Sequence, residues 1–453
     1  MQQGQTISLE ITDLADSGDG VGRHEALVVF VPDTVPGDRI EAKLVKVKHS
    51  YANASLTKIL APSPHRVRPS CIVADKCGGC QWQVVSYDHQ LQIKQNQVAQ
   101  ALQRIGKFEP EAIATWMDPI IGAPSDLHYR NKVTYPLDKT QEGKVRAGYY
   151  QKGSHKLVNL NQCPVQDRRL DLFLENVKLD IQKQGWLIYD EQYHRGLLRH
   201  FSLRIGRHTG QVLLTLISNS WDVPGLEEQA NAWLEQYPQL VGVMLNHNSI
   251  RTNTIFGAET RCIAGRDFVE ERFAGLTFQL RADTFFQIYT EQAEAMVSAI
   301  QEELGLQGHE LLLDAYAGIG TISLPLAQWV KQVIAIEIQP QATQQAILNA
   351  QMNGIDNIQF LTGKVEDLLP TLEVQPDITI LDPPRKGCEP SAIAHLRSHP
   401  SQQIAYVSCN PATLARDLNL LCADNAYRIT RIQPFDFFPQ TSHVESVTFL
   451  TKN

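Results

Sequence analysis

The chain has 453 residues, 43% of them apolar, and a formal net charge of −8. That length exceeds one ordinary hydrophobic core, so two to four domains are expected. No stretch approaches the roughly 20 apolar residues of a membrane span, and the polar start Met1-Gln2-Gln3-Gly4-Gln5 lacks a signal peptide's basic and apolar regions.

The expected location is therefore cytoplasmic, with no membrane partner. In a reducing compartment the eight cysteines are expected to be ligands, nucleophiles or buried apolar residues, not disulfides. The negative total disfavours indiscriminate nucleic-acid binding, but the charge is unevenly spread. Residues 39–68 carry seven Lys and Arg against Glu41 alone, and residues 130–156 carry seven against Asp138 and Glu142. Two such basic patches suit a localised phosphate-contacting face.

Residues 6–11 alternate, 16–22 form a turn cluster, 26–31 are a compact apolar run, and 40–47 alternate again. Short strands between Gly and Pro turns predict a small barrel over residues 1–60. Pro62, Pro64 and Pro69 mark a linker. A cysteine-bearing segment follows, with helical spacing over 87–105. Strand-like runs at 201–205, 212–217 and 240–246 then suggest an α+β middle domain over 61–280.

From 281 to 453 strands and helices alternate. Strands are expected at 310–314, 332–337, 358–361, 377–381 and 404–408, with helices at 321–329 and 340–353. Two more strands, 427–433 and 444–450, end the chain. Repeated βα units predict an α/β, doubly wound parallel sheet.

Three loops of that sheet carry chemistry. The first reads Asp314-Ala315-Tyr316-Ala317-Gly318-Ile319-Gly320. Gly318 and Gly320 follow a strand and precede a helix, where bare backbone can approach a ligand closely. The third small position of a dinucleotide fingerprint is Ser323, and no basic residue stands ready for a pyrophosphate. Asp314, before the glycines, suits S-adenosylmethionine (SAM). Glu337 ends the next strand, where a carboxylate can accept both ribose hydroxyls. The second loop, Asp382-Pro383-Pro384-Arg385, is stiffened by its prolines. The third is Ser408-Cys409-Asn410-Pro411.

Cys409 leaves its strand at the same rim as the cofactor turn, which makes it a candidate nucleophile; Cys388 ranks second. A thiolate can activate an electron-poor ring by adding to it. Glu445, opening the last strand, is the candidate base for the proton that must then leave. Upstream, Cys71, Cys77 and Cys80 are closely spaced around Gly78-Gly79, and Cys163 precedes Pro164. Four such thiolates could hold a [4Fe-4S] cluster or a zinc ion.

Together these residues resemble the RNA 5-methyluridine methyltransferases, in particular the iron–sulfur 23S rRNA uracil-C5 type with a TRAM domain. The N-terminal residues Asp13-Leu14-Ala15, Gly18-x-Gly20-Val21-Gly22-Arg23, Val28-Val29-Phe30-Val31-Pro32 and Pro36-Gly37-Asp38 are similar to TRAM. The resemblance implies an OB-like RNA-binding barrel, a class I SAM-dependent methyltransferase domain and a [4Fe-4S] cluster on Cys71, Cys77, Cys80 and Cys163. It implies SAM contacts from Gln287, Tyr316, Glu337 and Asp382, a nucleophile at Cys409 and a base at Glu445. It implies a monomer acting on rRNA without an obligate protein partner. Two positions depart from the pattern: Tyr289 stands where Asn is expected, and Ala317 where Cys is frequent. The alternatives are the same chemistry on the tRNA T-loop, a 5-methylcytosine enzyme, whose Asp-Pro loop would carry Pro-Cys, and a non-catalytic RNA-binding redox sensor.

Overall fold

In the computed structural model, which describes residues 2–453, alternation near the start becomes β1 (Thr6–Leu14) with Ile7, Leu9 and Ile11 turned inward. With β2 (Gly20–His24), β3 (Leu27–Val31), β4 (Arg39–Val47) and β5 (Tyr51–Ala61) it closes a barrel in the order β1-β2-β3-β5-β4. Two strands escape the periodicity. Three of the five residues of β2 lie inside the glycine cluster, and β5 buries only Ala52 and Ala54, too small to make an apolar stripe.

Next come α1 (Tyr87–Arg104) and α2 (Pro110–Trp116). Then follow β6 (Lys132–Lys139), β7 (Val145–Tyr150), β8 (Leu157–Asn159), α3 (Asp171–Lys183), β9 (Leu198–Ile205), β10 (Val212–Ser218), α4 (Leu226–Gln236), β11 (Leu240–His247) and β12 (Glu259–Gly265). The strands form one sheet in the order β12-β11-β10-β9-β6-β7-β8, with α3 and α4 contributing to its core. A hairpin of β13 (Phe268–Phe273) and β14 (Leu276–Arg281) follows.

The buried residues of the middle sheet's core run from Val133 to Ala264. Val98, Leu102 and Ile113 of α1 and α2 are buried with Leu313, Ile336, Leu414 and Leu418 of the C-terminal unit. The hairpin residues Phe273 and Phe278 are likewise buried with Ala293 and Leu312. The sequence gap between α1 and the C-terminal sheet hides this packing from a linear reading.

The C-terminal unit comprises α5 (Thr290–Leu304), β15 (Leu311–Asp314), α6 (Ser323–Ala327), β16 (Gln332–Glu337), α7 (Pro340–Met352), β17 (Ile358–Thr362), α8 (Val365–Leu368), β18 (Ile378–Leu381), α9 (Pro390–Ser398), β19 (Gln403–Ser408), α10 (Pro411–Leu421), β20 (Tyr427–Phe435) and β21 (Glu445–Lys452). The sheet order is β17-β16-β15-β18-β19-β21-β20. All strands run parallel except β21, which is antiparallel to both neighbours. Chain order reverses between β15 and β18, and the crevice at the carboxyl ends of such strands is where doubly wound sheets bind ligands. No helix among the described residues is long and apolar enough to cross a membrane.

Candidate active site

The carboxyl rim of β15, β16, β18 and β19 carries Asp314, Glu337, Asp382 and Cys409. Glu337 is already tied to the glycine turn. Its carboxylate accepts from the Gly318 N–H at 2.9 Å and from the Gln339 N–H at 2.7 Å. Gly318 has φ +56° and open space where a Cβ would sit, so this face of the turn is free to meet a ligand. Gly320 is required for another reason. Its φ is +88°, and a Cβ would lie 2.7 Å from Leu324 of α6. The second glycine thus serves close packing of α6 beneath the turn.

The charge at the rim is one-sided. Burial pushes the Asp382 carboxyl up to about 7, with the Asp314 charge adding to the effect. Burial also raises Asp314 to about 6, although Ser323 and the Tyr316 N–H stabilise its anion. Buried Glu445 lies well above the usual carboxylate range, because of burial and then Asp382, with Arg385 opposing. Burial lifts the Cys409 thiol to about 11, with Glu445 and Asp382 adding and Arg385 opposing. Three carboxyl groups and a thiol that raise one another need a cation, and Arg385 supplies only part of it.

Cys409 and Glu445 are brought together by strand register. Ser408 pairs with Ser446 across β19 and β21, so the next residues outward are Cys409 and Glu445. The loop after Cys409 is fixed by Asn410, whose side chain caps α10 by accepting from the Ala412 N–H at 3.0 Å. Its amide donates to the Arg385 carbonyl at 3.1 Å, locking the Cys409 loop to the Asp382 loop. Asn followed by Pro411 is an N-cap followed by proline in the first helical turn, a signal legible in sequence.

Cys388, the second-ranked nucleophile, is buried in the core beneath the rim. Its N–H donates to Asp417 at 2.8 Å, and its thiol meets the Tyr406 hydroxyl at 3.6 Å. Tyr316 is half-buried beside the same core. Gln287 is buried between β14 and α5, where its carbonyl accepts from Asn131 at 2.8 Å. Tyr289, the departure from the family pattern, is buried and stacks on Tyr129 with ring centroids 4.8 Å apart. Its hydroxyl donates to the Ser125 carbonyl at 2.8 Å. Phe285 lies beside this segment. It is 73% exposed, two residues from Gln287.

Away from the rim, Cys71, Cys77, Cys80 and Cys163 line one cavity together with Arg130, Tyr149 and Gln162. Burial raises Cys80 to about 12, with Cys163 adding, and burial raises Cys163 to about 11. Among the described residues, no three His, Cys, Asp or Glu side chains converge closely enough to hold a single metal ion.

The basic patches are partly spent within the fold. Arg66 is paired with buried Asp38 at 2.5 Å. Arg146 pairs with Asp138, Lys152 with Asp33, and Lys132 donates to the Ala282 carbonyl at 2.8 Å. Lys139, Lys144 and Lys156 stay exposed in the second patch.

A closed N-terminal barrel joined to a doubly wound sheet with a glycine turn and rim carboxylates defines a SAM-dependent methyltransferase. Residues 86–453 match the family model described as tRNA (uracil-5-)-methyltransferase, and residues 1–57 match the TRAM domain. The chain belongs to that methyltransferase family and carries an N-terminal TRAM domain. It is 59% identical over 448 residues to an uncharacterized RNA methyltransferase of Nostoc sp., covering 99% of this chain and 96% of the relative. A similarly named protein of Halalkalibacterium halodurans is 38% identical over 453 residues, covering 99% and 98%. The crystal structure of Pyrococcus abyssi tRNA (uracil-54, C5)-methyltransferase, in complex with S-adenosyl-L-homocysteine, superimposes with a TM-score of 0.78 at 27% identity. That match covers 98% of this chain and 100% of that one. Membership of a methyltransferase family sets aside the non-catalytic alternative, and its uracil-5 chemistry sets aside the 5-methylcytosine one.

Proposed function

We propose that the enzyme methylates carbon 5 of a uridine in 23S rRNA, in the cytoplasm, by covalent addition of Cys409 to carbon 6. The observation that supports the covalent chemistry is the β19–β21 register, which sets Cys409 beside Glu445 at the rim that holds Asp314 and Asp382; the 23S rRNA target rests on the family resemblance alone. The Cys409 thiolate forms a bond to carbon 6, and the ring's double-bond electrons move onto the carbon 4 oxygen. Carbon 5 then attacks the methyl carbon of SAM, whose carbon–sulfur bond breaks to release S-adenosylhomocysteine. Glu445 takes the carbon 5 proton, the ring double bond re-forms, and the thiolate leaves. Asp314, Tyr316, Glu337, Asp382, Gln287 and the Gly318–Gly320 turn hold SAM in this reading. The sulfonium's positive charge complements the raised carboxyl groups and favours their ionised forms.

The four cysteines fit a [4Fe-4S] cluster. What supports this is that all four line one cavity, with half-buried Arg130 beside them to offset thiolate charge. When bound, the cluster supplies a cross-link, and no methyl-transfer step runs through it.

A second reading, methylation of the tRNA T-loop, is favoured by the match to the Pyrococcus tRNA (uracil-54, C5)-methyltransferase. Mapping 5-methyluridine in total RNA from a deletion strain tests both readings. Loss of the mark from 23S rRNA is expected. Loss from tRNA alone selects the second reading, and no loss anywhere overturns the function.

A further inference from the structure

Glu445 opens β21 at the end of the loop formed by residues 436–444, which joins it to β20. That loop is held chiefly from outside its own sheet. The Lys94 ammonium, in α1, donates to Asp436 at 2.6 Å and to the Phe438 carbonyl at 3.0 Å. Both charged side chains are 0% exposed. Gln90, one turn earlier on α1, bonds Gln440 twice. Its amide donates to Gln440 Oε1 at 3.1 Å, and its carbonyl accepts from the Gln440 N–H at 2.9 Å. Gln440 has φ +68°, a left-handed conformation that non-glycine residues rarely adopt. Its carbonyl accepts from the Gln81 and Trp82 N–H groups at 3.1 and 3.0 Å, and the Tyr129 hydroxyl donates to the Pro439 carbonyl at 3.1 Å.

A buried ion pair is a poor way to gain stability, since desolvation consumes most of the attraction. A buried pair beside a strained residue instead fixes one conformation. The same helix also braces the nucleophile. Val98 and Leu102 of α1 are buried in one cluster with Leu414 and Leu418 of α10, and α10 starts two residues after Cys409. Asn419 of α10 further donates to the Gly106 carbonyl, just beyond α1, at 2.7 Å. One helix thus reaches both strand ends that carry the reaction.

We propose that Lys94 and Gln90 are positioning residues for proton removal: through Asp436 and Gln440 they fix the loop that delivers Glu445 to the Cys409 adduct. The inference rests on Glu445 being the base of the proposed reaction.

The test uses full-length protein, SAM, and total RNA from a deletion strain labelled with tritium at uracil carbon 5. Wild type, Glu445→Gln, the double variant Lys94→Met/Asp436→Asn, and Gln90→Ala are compared. Three quantities are read: first-turnover methyl transfer, tritium released to water, and covalent protein–RNA adduct. A displacement of about 1 Å in a catalytic group costs roughly 100-fold. The positioning variants should therefore release tritium roughly 10–100-fold more slowly and accumulate methylated adduct, as Glu445→Gln does. Methyl transfer and SAM affinity should stay within about twofold of wild type, the split expected when one late step is impaired. Equal loss of methyl transfer and tritium release, or no change in either, overturns the positioning role. Gln90→Ala removes no charge and decides the matter if the double variant fails to fold. Absence of tritium release from wild type overturns the uracil reading itself, and the inference with it.

Discussion

Ser408 faces Ser446 across the β19–β21 ladder, and beyond that pair lie Cys409 and Glu445. The arrangement depends on β21 running against the rest of the sheet. A parallel strand would present its last residue at the carboxyl rim, whereas an antiparallel one presents its first. Glu445 is the first residue of β21, so reversal of this one strand sets a carboxylate beside Cys409, the residue that follows β19.

Cys409→Ala should abolish turnover and covalent trapping by 5-fluorouridine RNA, yet leave SAM binding intact. The Cys409 side chain is only half-buried, and the carboxylates proposed to hold SAM lie on other strands. Cys388 cannot easily substitute, because it is buried and bonded within the Asp417–Tyr406 network. Peptide mapping of the trapped adduct checks this, and an adduct on Cys388 would reverse the assignment.

Glu445→Gln should accumulate an RNA adduct that already carries the methyl group, because addition and transfer precede the blocked step. Glutamine keeps the shape while removing the proton acceptor. Mass spectrometry of the adduct reads the methyl group directly. Normal turnover without adduct would place the base elsewhere.

Much of this site was legible because it follows local rules. The strands ending at Asp314, Glu337, Leu381 and Ser408 stand where apolar runs meet loop residues, and their ends fix the rim. Helix α1 was legible too, from its spacing. Its purpose was not, because Gln90 and Lys94 look like ordinary polar residues until Asp436 and Gln440 close over them. The basic patches misled in the opposite sense. Counting charge along the chain cannot reveal that Arg66 and Arg146 are paired within the fold, which leaves fewer cations for phosphate.

Asp382 predicts an unusual dependence of stability on pH. Its folded pKa of about 7 lies above the ordinary 3.8, so between those values the folded chain keeps a proton the unfolded chain has lost. Stability from this group is therefore present at low pH and declines as pH rises through that window. Asp382→Asn removes the penalty. Without SAM, its Tm at pH 8 should exceed that of wild type by at least roughly 2–4 °C, the shift that each 1 kcal/mol produces in a domain of about 150–250 residues. At pH 4 the difference should vanish, while activity is lost at every pH. Thermal unfolding at the two pH values checks this. A variant less stable than wild type at pH 8 would mean that Asp382 is held as a favourable anion.

The cysteine cavity supports a last prediction. The segment bearing Cys77 is pinned to the middle sheet, where the Gly78 N–H donates to the Tyr150 carbonyl at 2.9 Å. Cys163 lies beyond β8, held by its N–H donating to Asp171 at 3.1 Å. A cluster spanning these two segments would cross-link the linker after the barrel to the middle sheet. Anaerobically purified protein should contain about four irons and four sulfides per chain. Cys163→Ala should lose them, loosen the middle sheet to hydrogen exchange and weaken RNA binding, while SAM affinity stays nearly unchanged. Zinc without labile sulfide would replace the cluster with a simpler metal site. Methylation that switches with cluster reduction would show that the centre does more than join two segments.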